Sequence, residues 1–382
     1  MSAGCAARGR AGAGTEDAPA AGPEPGRDAG AAISAPPGRI APPRGEAAWA
    51  EPPAEGEARE LAEGLLWMRL PMPWRLDHVN VYALDEGDGW TILDTGIASR
   101  RARAVWDRLL AGPLAGRPVR QVVVSHHHPD HVGLAGWFVR RGAELRMTRT
   151  AWLTTRMLVL DVQERPDPRV LEFWRAAGMA PAILAARAAA RPYNMADIVE
   201  PLPPGFRRLV EGEALRLGGR DWRVRLGQGH APDQATFWGE GLILAADQIL
   251  ARISPNISVH ASEPEADPLG EWMASCRALA GAAEMMPDAV VLPGHDLPFR
   301  AAAARLRQME ANHAAALDRL EARLAEPRAA CDCFALLFRR SVGEEDYTLA
   351  LGETLAHLNR LRAEGRVTRD RAGDGPWLWR RA

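Results

Sequence analysis

Lysine is absent from the 382 residues, so all 47 basic side chains are arginine. With 49 acidic residues the formal net charge is −2, which leaves no global field to favour nucleic acid, a membrane surface or acidic ligands. Cysteine is scarce. Cys5, Cys276, Cys331 and Cys333 lack the paired spacing of a zinc knuckle, and four in so long a chain do not make a disulfide framework. A reducing cytoplasm is the expected location. No run is long and apolar enough to cross a bilayer, and residues 1–57 lack the basic start and apolar stretch of a secretory signal. Glu16, Asp17, Glu24 and Asp28 argue against a transit peptide. No fixed-period repeat is present, which argues against a solenoid or propeller.

What is present divides the chain. Residues 1–57 are rich in Ala, Gly and Pro and poor in large apolar side chains, so a disordered tail is expected there. Residues 58–300 are expected to form one catalytic domain. Its opening run VNVYALDEGDGWTILDTG predicts a β-hairpin closed by a Gly-Asp-Gly turn. Helical spacing through Ala104, Trp106, Leu109 and Leu110 precedes the buried strand RQVVV. Residues 148–197 predict an insertion of helices interrupted by Pro166, Pro168 and Pro181. Strand character returns in ALRLGGRDWRVRLGQGH, QATFWGEGLILAADQ and DAVVLPGHD. Residues 301–382 predict a long helix, two shorter ones and a terminal hairpin, a pattern that suits a winged helix.

The segment from Ser125 to His131, SHHHPDH, follows a buried strand directly and offers His126, His128, Asp130 and His131 within six residues. Imidazole and carboxylate are the donors of catalytic zinc, and a loop at a strand end can aim several at one point. Strand alternation turns His126 and His128 one way and His127 the other, so His127 is expected to be packed or solvated. His230, Asp247 and His295 each stand at a predicted strand end beside turn-forming residues, in GQGHAPDQ, AADQ and PGHD. Five of the ten histidines are thus candidate ligands at strand ends, more than chance clustering explains.

These residues resemble the metallo-β-lactamase superfamily, whose hallmark is Ser/Thr-His-x-His-x-Asp-His followed at intervals by His, Asp and His. The resemblance spans about Leu61 to Phe299 and implies an α+β fold, the αββα sandwich, with metals at one edge between the two sheets. It implies one zinc on His126, His128 and His230, a second on Asp130, His131 and His295, and Asp247 bridging them. Asp94, in LDTG, would steady the ligand loop by hydrogen bonds. Asp247 stands where the commonest true β-lactamases carry cysteine, and His128 where flavodiiron proteins carry glutamate, which argues against both activities. Ala246 replaces the usual glycine before the bridging Asp, and GHAPDQ departs from the GHTPGH-like loop of glyoxalase II relatives. Glutathione thioesters are disfavoured on that ground.

The resemblance implies a hydrolase in which a zinc-bridging hydroxide attacks an ester, thioester or lactone carbonyl of a small acyl substrate, with Asp130 orienting the hydroxide and moving its proton. The 148–197 insertion is expected to cover the metal edge as a lid, with Met157 and Trp174 as an apolar wall. Arg252 or Ser254 is expected to meet a substrate carboxylate or phosphate. The C-terminal part resembles the winged-helix extension of one group of these hydrolases, some of which cut single-stranded RNA. A metal-dependent endoribonuclease or phosphodiesterase is therefore one alternative, and a sulfur dioxygenase with a single iron is another. The candidate recognition helix mixes Asp346, Glu353 and Glu364 with Arg360 and Arg362, which favours a structural or homodimer-forming role over nucleic-acid binding.

Overall fold

The structure, a computed structural model, describes residues 49, 51–338 and 341–382. Most of the expected tail, residues 1–48 and 50, lies outside the described residues. Residues 51–57 are held against the domain: Pro53 is buried, and Glu55 pairs with Arg101 and Arg108.

Seven strands form the first sheet in sequence order: β1 Arg59–Ala62, β2 Leu65–Pro71, β3 His78–Asp85, β4 Trp90–Leu93, β5 Val119–Val123, β6 Glu144–Thr148 and β7 Arg207–Leu209. The expected hairpin is β3–β4, closed where Glu86 N donates to Gly89 O at 3.0 Å. β1 to β4 pair antiparallel and β4 to β7 parallel. The parallel pairs need crossovers. Helix α1 Arg100–Ala111 makes the first, its start capped by Ser99, whose side chain accepts from Ala102 N. Two short helices, α2 Pro129–Val132 and α3 Ala135–Val139, make the second. The third is the insertion: α4 Arg149–Leu160, α5 Pro168–Ala176 and α6 Pro181–Ala189. Pro168 and Pro181 begin helices rather than interrupt them, because proline lacks only an N–H that the first turn leaves unpaired anyway.

The second sheet has the order β12-β11-β10-β9-β8, from β8 Ala214–Leu217, β9 Arg220–Gly227, β10 Gln234–Gly239, β11 Leu242–Ala246 and β12 Val290–Pro293. Helix α7 Pro268–Glu284 joins the parallel pair β11 and β12. Alternation assigns each strand face to a layer. Trp67, Tyr82 and Leu84 of the first sheet meet Trp222, Phe237 and Leu244 of the second in a core between the sheets. Met68, Val81 and Ile92 face outward onto Val105, Trp106 and Leu109 of α1. Trp238, Ile243 and Ala245 face the other way onto Trp272 and Leu279 of α7. The layers run helix, sheet, sheet, helix.

The chain ends in α8 Ala302–Glu321, α9 Phe334–Leu337, α10 Tyr347–Ala363 and the hairpin β13 Val367–Arg371 with β14 Trp377–Arg381. Leu306 and Leu317 of α8 and Leu351, Leu355 and Leu358 of α10 belong to the same buried cluster as Trp238 and Trp272. The C-terminal part therefore completes the outer core of the second sheet.

Candidate metal centre

Strand ends bring the candidate residues together at one edge of the sandwich. Asp94 follows β4, the loop after β5 carries Ser125 to His128, and the short α2 that follows carries Asp130 and His131. His230 follows β9, Asp247 follows β11 and His295 follows β12. Two groups result, His126, His128 and His230 in one and Asp130, His131, Asp247 and His295 in the other, with the donor atoms of each within 4.8 Å of one another. Gly294 permits the close approach of the last loop. A Cβ there would fall 2.2 Å from Asp247 Oδ1 and 3.0 Å from His131 Cε1.

Four rings are held by their Nδ1 atoms. His131 Nδ1 donates to Asp94 Oδ2 at 2.8 Å, His230 Nδ1 to Asn256 O at 2.8 Å, and His295 Nδ1 to His78 O at 2.9 Å. Ser125 Oγ donates to Asp94 Oδ2 at 2.8 Å, so it accepts from His126 Nδ1 at 2.9 Å. Acceptor partners of this kind hold a proton on Nδ1 and turn Nε2 inward, toward the place a cation would take. His128 presents Nδ1 instead, 3.0 Å from both His126 Nε2 and His230 Nε2. One proton cannot satisfy three converging nitrogens.

In the second group His131 Nε2 lies 3.4 Å from both Asp130 Oδ2 and Asp247 Oδ1, and His295 Nε2 lies 3.4 Å from Asp130 Oδ2 and 3.3 Å from Asp247 Oδ2. Asp247 Oδ2 is also 3.5 Å from His230 Nε2, so this carboxylate stands between the groups. His131 Nε2 and Asp247 Oδ1 are buried without a hydrogen-bond partner. Donors about 2.0–2.1 Å from a tetrahedral cation stand roughly 3.3 Å apart, close to the spacings here. The residues fit metal ions.

Electrostatics agree with that fit. Burial, then the neighbouring imidazoles, hold His126 and His128 well below the usual histidine range. Burial opposes ionisation of Asp130 and Asp247, but the imidazoles of His131 and His295 outweigh it and keep both carboxyls well below theirs. Burial likewise opposes charge on His131 and His295, yet the carboxylates raise His131 well above its ordinary value and His295 to about 10. The pocket gathers negative charge that cations offset.

The sequence pattern of the Metallo-beta-lactamase superfamily matches residues 74–295. The chain belongs to that superfamily. A second pattern, the metallo-beta-lactamase-like C-terminal domain, matches residues 317–382. A beta-lactamase domain protein from Burkholderia ambifaria is 36% identical, with a TM-score of 0.80 over 87% of this chain and 96% of its own. A metallo-beta-lactamase family protein from Thermus thermophilus is 29% identical, with a TM-score of 0.70 over 85% of this chain and 100% of its own. The Bacillus subtilis (strain 168) protein named probable metallo-hydrolase YqjP is 26% identical over 80% of this chain and 94% of its own length.

Asp94 lies where the superfamily resemblance implied. Besides Ser125 Oγ and His131 Nδ1 it receives Ser125 N at 2.8 Å, tying β4 to the ligand loop. His127 stands apart from both donor groups, half-buried, with burial lowering its imidazole to about 3. The four residues expected to meet substrate differ in their surroundings. Trp174 packs half-buried against the core shared with the C-terminal helices, and Met157 faces solvent at 55% exposure. Arg252 is exposed and Ser254 buried.

Sequence reasoning missed His78 and Asn256 because they act through backbone carbonyls that no motif marks, and it gave no role to Ser125, whose hydroxyl bridges Asp94 and His126. Tyr193 is 38% exposed, and its phenol is raised by desolvation and then by the charges of Asp130 and Asp197.

Proposed function

We propose that the chain, a metal-dependent hydrolase of this superfamily, holds two zinc ions and cleaves an ester, thioester or lactone bond in a small acyl molecule. His126, His128 and His230 would hold one ion, Asp130, His131 and His295 the other, and Asp247 would reach both. The carrying observation is the set of four imidazoles whose Nδ1 partners turn Nε2 inward, beside ionised Asp130 and Asp247. When bound, such ions lower the pKa of water towards about 7 and polarise a carbonyl.

The chain's own groups supply the rest. Asp130, ionised and with Oδ2 within 3.4 Å of two imidazoles, would orient the attacking water through its other carboxylate oxygen. Tyr193, protonated and open to solvent, can donate to a substrate oxygen entering from that side.

Nucleic acid is disfavoured by the arginines of the C-terminal hairpin, which face carboxylates of this chain. Arg366 meets Glu321 at 2.6 Å and Asp318 at 2.7 Å, Arg369 meets Glu265 at 2.5 Å, and Arg371 meets Glu172 at 2.6 Å. Phosphate binding needs such cations free.

The test is metal analysis of protein purified without added metal, together with turnover of ester, thioester, lactone and RNA substrates. Two zincs per chain and acyl hydrolysis are expected, with His128→Ala and Asp247→Ala retaining the fold and losing hydrolysis by orders of magnitude. One iron per chain without hydrolysis would favour the sulfur dioxygenase, and RNA cleavage without acyl hydrolysis would favour the nuclease.

A further inference from the structure

We infer that the C-terminal helices set the orientation of His230, with Glu353 on α10 as the positioning residue acting through Asn256. This rests on the metal reading above, in which His230 is a ligand. The segment between β11 and α7, residues 247–267, starts at Asp247 and passes beside His230. Its anchors come largely from the C-terminal part of the chain. Arg305, buried on α8, donates Nε to Leu250 O at 2.7 Å and Nη2 to Ile253 O at 2.8 Å. Asn359 on α10 donates to Pro264 O at 3.0 Å and Ala266 O at 2.8 Å, and Arg360 meets Asp267 at 3.0 Å.

Asn256 lies between these anchors. Its Nδ2 donates to Glu353 Oε2 at 2.9 Å, its Oδ1 accepts from Ser258 Oγ at 2.5 Å, and its main-chain oxygen accepts the His230 Nδ1–H. Gly352 makes the approach close enough. A Cβ there would meet Ser258 Oγ at 2.8 Å and Ser258 Cβ at 2.9 Å, and Val259 N donates to Gly352 O at 3.1 Å. Helix α10 thus lies directly on the loop, and Glu353 reaches the one residue whose carbonyl sets the His230 tautomer. Burying a carboxyl costs free energy, which a fixed hydrogen bond to Asn256 partly offsets. Burial raises the Glu353 carboxyl to about 8, against the Asn256 amide, so near neutral pH it is mostly the uncharged acid. Glutamine matches that acid in shape and keeps an acceptor oxygen.

The experiment compares Glu353→Leu, Glu353→Ala and Glu353→Gln in the full chain by two readouts. The first is metal-free: nitrogen-15 spectra of histidine-labelled apoprotein, in which wild type and the Gln variant should show His230 fixed with its proton on Nδ1. The Leu and Ala variants should show a mixed tautomer or a rapidly exchanging Nδ1 proton. The second is zinc affinity by competition with a chromophoric chelator. Loss of the outer contact should weaken one of the two sites by about 10- to 100-fold, leaving the other and the Gln variant at the wild-type value. The Ala variant carries the same expectations if the Leu variant does not fold.

An unchanged His230 tautomer in both apolar variants would overturn the inference. So would equal weakening of both sites, accompanied by a lower unfolding midpoint in the Gln variant as well, because that describes general packing. A wild-type chain that binds no zinc would instead sink the metal reading, and the tautomer spectra would still decide the Glu353 to His230 coupling.

Discussion

Asp94, Ala246 and Asp296 adopt left-handed backbone angles, with φ of 60°, 43° and 67°, and all three adjoin the metal-site loops. Aspartate tolerates this region, whereas for alanine it costs about 1–2 kcal/mol, so the Ala246 that departs from the superfamily's glycine is a point of strain. Farther out, Glu353 yields a pH prediction. Its folded value is about 8 against 4.5 unfolded, so its contribution to stability is complete below about 4.5 and is lost as pH rises through about 8. Between those limits the unfolded chain releases a proton that the folded chain keeps. The slope is at most about 1.4 kcal/mol per pH unit. Urea unfolding at about pH 5 and about pH 8 should show a smaller loss of stability in Glu353→Gln than in wild type. Equal losses in the two proteins would refute the burial argument.

At the scale of elements, the strands deliver chemistry and the insertion divides its duties. Its ends approach the metal edge: Thr150 at the start of α4 donates to Asp233 in the His230 loop, and Tyr193 senses the charge of Asp130. Its middle leans on the C-terminal part, where Arg175 of α5 donates to Asp374 O and Arg187 of α6 donates to Glu344 O. Trp174 belongs to that middle. Its replacement by alanine should lower stability by about 1–3 kcal/mol, less than for a fully buried aromatic, with the preference for acyl chain length unchanged. Thermal unfolding alongside turnover of short and long acyl esters checks this. A selective loss on long chains at unchanged stability would restore Trp174 to the substrate pocket.

For the molecule as a whole, the shared outer core matters most. Truncation after Glu326 removes α10 and its buried Leu351, Leu355, Leu358 and Leu361, together with the contacts to residues 247–267. Such a chain should be insoluble or molten, because each fully buried leucine contributes about 1.5–3 kcal/mol. Circular dichroism in the near ultraviolet and dye binding to exposed apolar surface measure this. A soluble, cooperative and active truncated protein would show that the C-terminal part is an appendage. No helix among the described residues is long and apolar enough to cross a membrane.

Local pattern in the sequence determined much of this protein. Alternation and turn chemistry marked the β3–β4 hairpin, helical spacing marked α1 and α8, and the run from Ser125 to His131 with the later His230, Asp247 and His295 named the side chains that the fold gathers. Those signals are local, since a strand or helix imprints its period on adjacent residues. Tertiary structure alone decided which ring nitrogen each histidine presents, because the deciding partners are remote: His78 O lies 217 positions from His295, and Glu353 lies 97 from Asn256. Tertiary structure likewise packs Trp174 against the core shared with the C-terminal helices and makes those helices part of the outer layer. Hydrophobic residues are written alike whether they meet a ligand or a neighbouring helix, and only the packed chain distinguishes the two.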